Sequence, residues 1–349
     1  MRRGLLLHAR RGTRGGRQVH AAQVGPKRPL PAHPGWPQVA RQLAADLQAI
    51  QSELAAGPLG QPFAELCRRI QLPVPGQAAG DLPPLALPAL TLPRWTAQRL
   101  RRQGFAVASL AVRRAALAAA LGYMAVRLHD DRLDEAKGSE QDALLLGSVL
   151  LLRHQQLLVQ VAGASQALAV LELSQAAWTR YAEAMALEAH VQRTAAEWTP
   201  QLWQASLQRF APLALAPAAL LIAAGRSSEI PLLQAAILDL AEAHQLIEDG
   251  RDLPEDLAAG RVNWPAQLLG LGLASQSPAA ALLAGGAATL VSAAEPALQR
   301  AMQAAERMGD RALAGHLRAR RAAGCQWLDA LVQGVLARIG LRAEALSSG

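Results

Sequence analysis

The chain has 349 residues, 51% of them apolar and 18% charged, enough to bury a sizeable core and to exclude wholesale disorder. Aromatic residues are only 3%, and the two cysteines, Cys67 and Cys325, can form neither a disulfide framework nor a cysteine zinc site. The formal net charge of +8 sits in residues 1–28, which carry eight basic residues and no acid; the rest balances 27 basic against 27 acidic groups, so the body offers no basic groove for nucleic acid.

Residues 1–36 are rich in arginine and proline and cannot build a core, so they read as a disordered arm, with a transit peptide or a mis-assigned start as alternatives. From Pro37, Val39, Leu43, Leu47, Ile50 and Leu54 recur at helical spacing as far as Gly57, and a shorter helix follows over Phe63–Ile70. Six prolines predict an irregular connection over 72–94. Beyond it the pattern predicts helices over about 96–135, 139–162, 165–194, 201–225, 229–252, 264–274, 278–308 and 310–340, punctuated by Gly163, Pro200, Gly225, Gly260 and Gly309. Stretches such as 143–152 and 211–224 are apolar nearly all round and must be surrounded by other helices. The expected fold is therefore a single all-α bundle over 37–345. No transmembrane span is expected, because glycines and prolines interrupt the uncharged run 262–294, and 211–225 is short. A reducing, cytoplasmic setting is the simplest expectation.

Two acidic groups stand out in this weakly charged chain. Asp130, Asp131 and Asp134 close the helix predicted over 96–135 and can converge on one side of it. Clustered carboxylates at a helix C-terminus oppose the macrodipole and need a cation; hard oxygen ligands in a row suit Mg²⁺ bridged to a phosphate. The second group, Glu248, Asp249, Asp252, Glu255 and Asp256, repeats the pattern with Arg251 among it, and Pro254 is expected to end that helix. Facing each other across a bundle, the two groups would hold a diphosphate. Arg127, one turn before Asp131, is a geometric candidate for a phosphate contact. Trp178, Tyr181, Trp203 and Phe210 lie on the apolar stretches between the two groups and, taken by themselves, read first as core packing. His129 reads as a hydrogen-bonded structural histidine.

These segments resemble the two metal-binding motifs of the class I isoprenoid synthases. LHDDRLDEAKG is similar to the first aspartate-rich motif, DDxxD, with Asp130, Asp131 and Asp134 in its aspartate places. QLIEDGRD resembles the QIxDDxxD motif of polyprenyl diphosphate synthases through Gln245, Glu248, Asp249 and Asp252. RDLPEDLAAGRVNWP resembles the squalene and phytoene synthase pattern through Arg251, Asp252, Glu255, Asp256, Gly260, Arg261 and Pro265.

The resemblance implies an all-α fold with a central apolar cavity and Mg²⁺ as cofactor, three ions bridging the diphosphate. It implies metal ligation by both acidic groups, Asp256 included, and phosphate contacts from Arg251 and Arg261. The partner molecule is a prenyl diphosphate, and a homodimer and peripheral membrane contact stay open. Gly122, Ala125 and Val126 take places that line the cavity beneath the allylic tail, so Ala125→Phe is expected to favour shorter chains; the equal alternative is that these small residues simply permit close helix packing. The implied chemistry passes through a carbocation, which the aromatic faces of Trp178, Tyr181, Trp203 and Phe210 would steady, with plain core packing as the alternative. The GGKRxRP segment for isopentenyl diphosphate has no counterpart, and no lysine follows Lys137, which argues against chain elongation. The cyclase triad is also absent in strict form. The expected activity is ionisation of an allylic diphosphate followed by cyclisation or condensation with a second prenyl chain. The alternatives are a polyprenyl diphosphate synthase and, from another class, a non-catalytic helical subunit or lipid carrier.

Overall fold

The computed structural model describes residues 36–70, 86–134, 140–194, 197–273 and 277–347. The helices are α1 (Trp36–Leu54), α2 (Gly60–Arg69), α3 (Ala86–Arg102), α4 (Ser109–Asp134), α5 (Glu140–Ala162), α6 (Ala167–Thr194), α7 (Pro200–Ser206), α8 (Leu215–Ala223), α9 (Ile230–Ala258), α10 (Trp264–Leu268), α11 (Pro278–Ala281), α12 (Ala287–Met308) and α13 (Arg311–Ser347). Among the described residues there is no strand. The arm predicted over 1–36 lies outside the description except for Trp36, which is buried in α1.

Apolar helices form the centre. Every residue of α8 from Leu215 to Ile222 is buried, and α8 packs on α3, α4 and α5. The pairs α4–α5 and α9–α12 are the most extensive helix contacts. Gly250 lets α12 approach α9 closely, since a Cβ there would lie 2.4 Å from Leu290 Cδ1. A second apolar cluster fastens α1 and α2 to the outer faces of α4 and α5 through Leu43, Leu47, Phe63, Leu66, Leu121 and Met124.

Arg99 is 2% exposed and ties the bundle together: its guanidinium donates to the Met308 carbonyl at 2.9 Å and to Glu229. The sharp stop at Gly309, with φ 71°, is followed by Asp310, whose carboxylate accepts from Leu313 N at 3.0 Å and caps α13.

Several predicted boundaries move. Residues 86–94 belong to α3, not to the proline-rich connection: Pro88 sits in the first turn, where no intrahelical N–H bond is lost, and Pro93 is carried inside the helix, in a stretch buried from 88 to 93. The helix expected over 96–135 is two helices, broken at Gly104 with φ 88°. The stretch 201–225 splits into α7, a 3₁₀ segment over Leu207–Ala214 containing Pro212, and α8. Pro254 does not end α9, which runs on to Ala258 with the proline inside it, so the later acids stay on the same rod as the earlier ones.

Among the described residues, four stretches are long and apolar enough to cross a membrane by length and hydropathy alone: Ser109–His129, Leu144–Ala162, Pro200–Ala223 and Pro278–Met308. Each carries an arginine ion-paired to another part of the bundle: Arg113 to Asp46, Arg153 to Glu53, Arg209 to Glu188, and Arg300 to Asp239 and Glu242. Facing lipid would cost those pairs dearly, so these helices are placed as bundle helices.

Candidate functional site

At 100° per residue, Gln245, Asp249, Asp252 and Asp256 fall on one stripe of α9. Gln245 donates its amide to the Asp249 carboxylate one turn along. Asp249 lies deep among packed groups with one edge open to solvent, and burial pushes its carboxyl up to about 8 against the pull of Arg209. Arg209 comes from the 3₁₀ segment, ion-pairs with Glu188 of α6, and lies 5.2 Å from the Phe210 ring centroid. Phe210 is therefore already engaged by a cation of the protein itself.

The end of the stripe is tied to the loop after α9. Both Asp256 oxygens are in use: Oδ1 accepts from Arg261 at 2.7 and 3.2 Å, and Oδ2 accepts from Asn263 at 2.8 Å. Asn263 also donates to the Asp249 carbonyl at 3.3 Å and caps α10 by accepting from Ala266 N at 2.9 Å. Trp198 donates its indole N–H to the Val262 carbonyl at 2.9 Å, and Trp203 stacks on Trp264. Trp203, a candidate for steadying a cation, thus packs in a tryptophan cluster that braces this loop. Asp256, expected as a metal ligand, positions Arg261 and Asn263.

Arg251 departs from expectation. It lies about 160° round α9 from Asp249, pairs with Glu248 at 2.7 Å, and sits 5.4 Å from the Trp327 ring centroid of α13. Helical geometry turns Arg251 away from the acidic stripe, while Glu248, about 40° from Asp252, stays at the edge of the stripe with its carboxylate paired to Arg251.

Helix α4 extends to Asp134, with Asp130, Asp131 and Asp134 in its last turns; their side chains lie outside the described residues. Arg127 is half-buried one turn earlier. His129 is half-buried, and its Nδ1 lies 3.2 Å from the Tyr181 hydroxyl, the structural role expected of it. Tyr181 stands edge-on to Trp178, and Trp178 edge-on to His154. His154 Nδ1–H donates to the Ala118 carbonyl at 2.8 Å. His154 Nε2 and Trp178 Nε1 are buried without a hydrogen-bond partner among the described residues.

This cluster packs beside α4 at Gly122, one of the small residues expected to line a cavity. A Cβ on Gly122 would lie 3.0 Å from the His154 ring, and Ala125 and Val126 are buried at 0% and 8% exposure. At Gly122 the missing side chain of α4 admits the His154 ring, and Ala125 is fully covered. Sequence reasoning missed Glu188, Arg209 and His154, because each acts from an element far along the chain, and Asn263, which stands only seven residues after Asp256 where the GRxYxP pattern has tyrosine.

Among the described residues no three histidine, cysteine or carboxylate groups gather as a metal site. A metal centre built on Asp249 and Asp252 therefore needs the carboxylates at the end of α4.

The sequence matches no protein-family model, and no curated relative matches it. Solved structures do match. A geranylgeranyl pyrophosphate synthetase from the archaeon Geoglobus acetivorans superimposes with a TM-score of 0.60, covering 83% of this chain and 98% of that one at 10% identity. The geranylgeranyl pyrophosphate synthase of Lactobacillus brevis gives 0.57, covering 84% and 98% at 14% identity. The fold is that of the class I isoprenoid synthases. Identities this low speak for the isoprenoid-synthase fold alone, so activity has to be argued from side chains.

Proposed function

We propose that the protein is a Mg²⁺-dependent class I isoprenoid enzyme that ionises an allylic prenyl diphosphate, then cyclises the chain or condenses it with a second one. The observation that carries the reading is Asp249. A carboxylate this desolvated, with an amide as its hydrogen-bond partner, is costly to ionise unless a cation joins it. The donors are hard oxygens, as Mg²⁺ prefers. Asp249 and Asp252 with Asp130, Asp131 and Asp134 would hold the metal, and bound there it would supply Lewis-acid neutralisation of the departing diphosphate. On this reading Gln245 orients the Asp249 carboxylate, Arg209 and Arg261 bring positive charge to the acidic stripe, and Asp256 with Asn263 holds Arg261 in place. The packed apolar helices exclude water from the carbocation.

The two structural neighbours are geranylgeranyl pyrophosphate synthases by name, which favours a second reading, chain elongation with isopentenyl diphosphate. The absent GGKRxRP segment and the absence of lysine after Lys137 weigh against it, because a second diphosphate needs its own cationic groups. Incubation with Mg²⁺ and allylic diphosphates of ten to thirty carbons, with and without isopentenyl diphosphate, tests both. Diphosphate release from an allylic substrate alone is expected. A longer prenyl diphosphate formed only with isopentenyl diphosphate would replace the first reading with the second, and no diphosphate release under any condition would remove both.

A further inference from the structure

A cavity of about 40 Å³ lies between α9, α12 and α13, on the side of α9 away from Asp249. At 10–15 Å³ per water it has room for roughly three waters, or one small oxyanion. One wall is apolar, from Leu240, Ile247 and Leu298; the other carries Arg251, Arg320 and Arg321.

The charges there do not balance. Arg251 is paired with Glu248, and Arg321 with Glu295 at 2.7 Å. Arg320 has no carboxylate hydrogen-bonded to it among the described residues. Its Nη2 donates to His244 Nδ1 at 2.6 Å. A guanidinium only donates, so His244 accepts as a neutral ring and supplies no countercharge. Burial and the surrounding arginines hold His244 well below its ordinary range, which keeps it neutral. Arg320 itself is packed deep with one edge open, and burial lowers its guanidinium to about 10. Three guanidiniums therefore face two carboxylates around a cavity: Glu248 is bonded to Arg251 and reaches Arg320 only through its field, and Arg320 is strongly desolvated. Buried charges are ordinarily paired, and guanidinium forks match phosphate oxygens.

We propose that this cavity binds a small oxyanion of the phosphate class, held by Arg320 with Arg251 and Arg321, at a site separate from the acidic stripe. It needs no metal, and its occupancy stabilises the seam where α13 closes on α9 and α12. Inorganic phosphate and inorganic diphosphate share this chemistry, and comparing them shows which size the cavity takes.

The test is thermal unfolding of the full chain in a metal chelator, with either anion added at constant ionic strength set by chloride. In the wild type, phosphate or diphosphate at millimolar concentration should raise the melting temperature by about 2–4 °C. Arg320→Gln should lose the shift. Ala323→Glu, which brings a carboxylate to the cavity wall without touching an arginine, should lose it too, and keeps the test open if Arg320→Gln does not fold. Asp249→Asn, on the opposite side of α9, should retain it, which separates this site from the proposed metal centre. No shift with either anion in the wild type, a shift that survives in a folded Arg320→Gln or Ala323→Glu variant, or its loss in Asp249→Asn would overturn the proposal.

Discussion

The imidazole of His154 occupies the space that the missing side chain of Gly122 leaves on α4, at a distance where an added Cβ would sit 3.0 Å from Nδ1 and Cε1. The ring cannot easily give way, because Nδ1–H is bonded to the Ala118 carbonyl and Trp178 stands against it. Gly122→Ala should therefore destabilise the protein by about 1–3 kcal/mol through overpacking. In a His154→Ala background the same change should cost at least about 1 kcal/mol less, a coupling read from a double-mutant cycle in urea. Additive effects would mean that the two residues do not share this space. Ala125→Phe, with no accessible surface to grow into, is expected to lose stability before it changes any chain-length preference.

His154 also sets a pH dependence. Burial pushes its imidazole from the ordinary 6.5 down to about 4. Between those values the unfolded chain takes up a proton that the folded protein refuses. Its contribution is complete above pH 6.5 and is lost as pH falls towards 4, by roughly 3 kcal/mol. His244 is lowered in the same direction and adds to the effect. Urea unfolding at pH 7 and pH 4.5 should show a wide gap in stability for the wild type and a narrower one for His154→Gln. An equal gap in both would assign the acid sensitivity elsewhere.

Features carried by neighbouring residues are the ones that reading the chain recovers. The helix stop at Gly309 and the α9 stripe from Gln245 to Asp256 depend on local periodicity and capping, and both are seen in the sequence. Pro254 misleads because proline's helix-breaking tendency is local, whereas α9 is held by α12 along most of its length; packing carries the chain through. Gly104 was overlooked because the apolar pattern resumes so soon after it. The small residues of α4 are readable as small, but whether they face a void or a histidine is decided by α5, 32 residues away in the case of Gly122 and His154. Arg320, 76 residues from His244, gives no sequence signal at all.

Asn263 is the joint between the acidic stripe and the loop that follows it. It caps α10, donates to the Asp256 oxygen that Arg261 does not take, and donates to the Asp249 carbonyl. Asn263→Ala removes the cap and leaves Asp256 short of one partner, at about 2 kcal/mol together. The urea midpoint should fall with an unchanged slope. Since Arg261 is held by the same carboxylate, turnover of a prenyl diphosphate should fall as well. A variant as stable as the wild type would show that this joint contributes nothing.

Asp249 is where stability and function should part. Its carboxyl sits near 8 because ionising it there costs desolvation that Gln245 and Arg209 only partly offset. Without metal, Asp249→Asn replaces that group by a neutral one of the same shape, so above pH 8 the melting temperature should stay level or rise. With Mg²⁺ and diphosphate present, the wild type should gain stability beyond the shift that diphosphate gives without metal, and the variant should show only that metal-free shift. Turnover of an allylic diphosphate by Asp249→Asn should drop about 10²-fold, which is about 3 kcal/mol of lost transition-state stabilisation. A purely structural carboxylate predicts the reverse pattern: lower stability in the variant at every pH, and an unchanged response to Mg²⁺ and diphosphate. Calorimetry of the two proteins above pH 8, with and without Mg²⁺ and diphosphate, separates the cases.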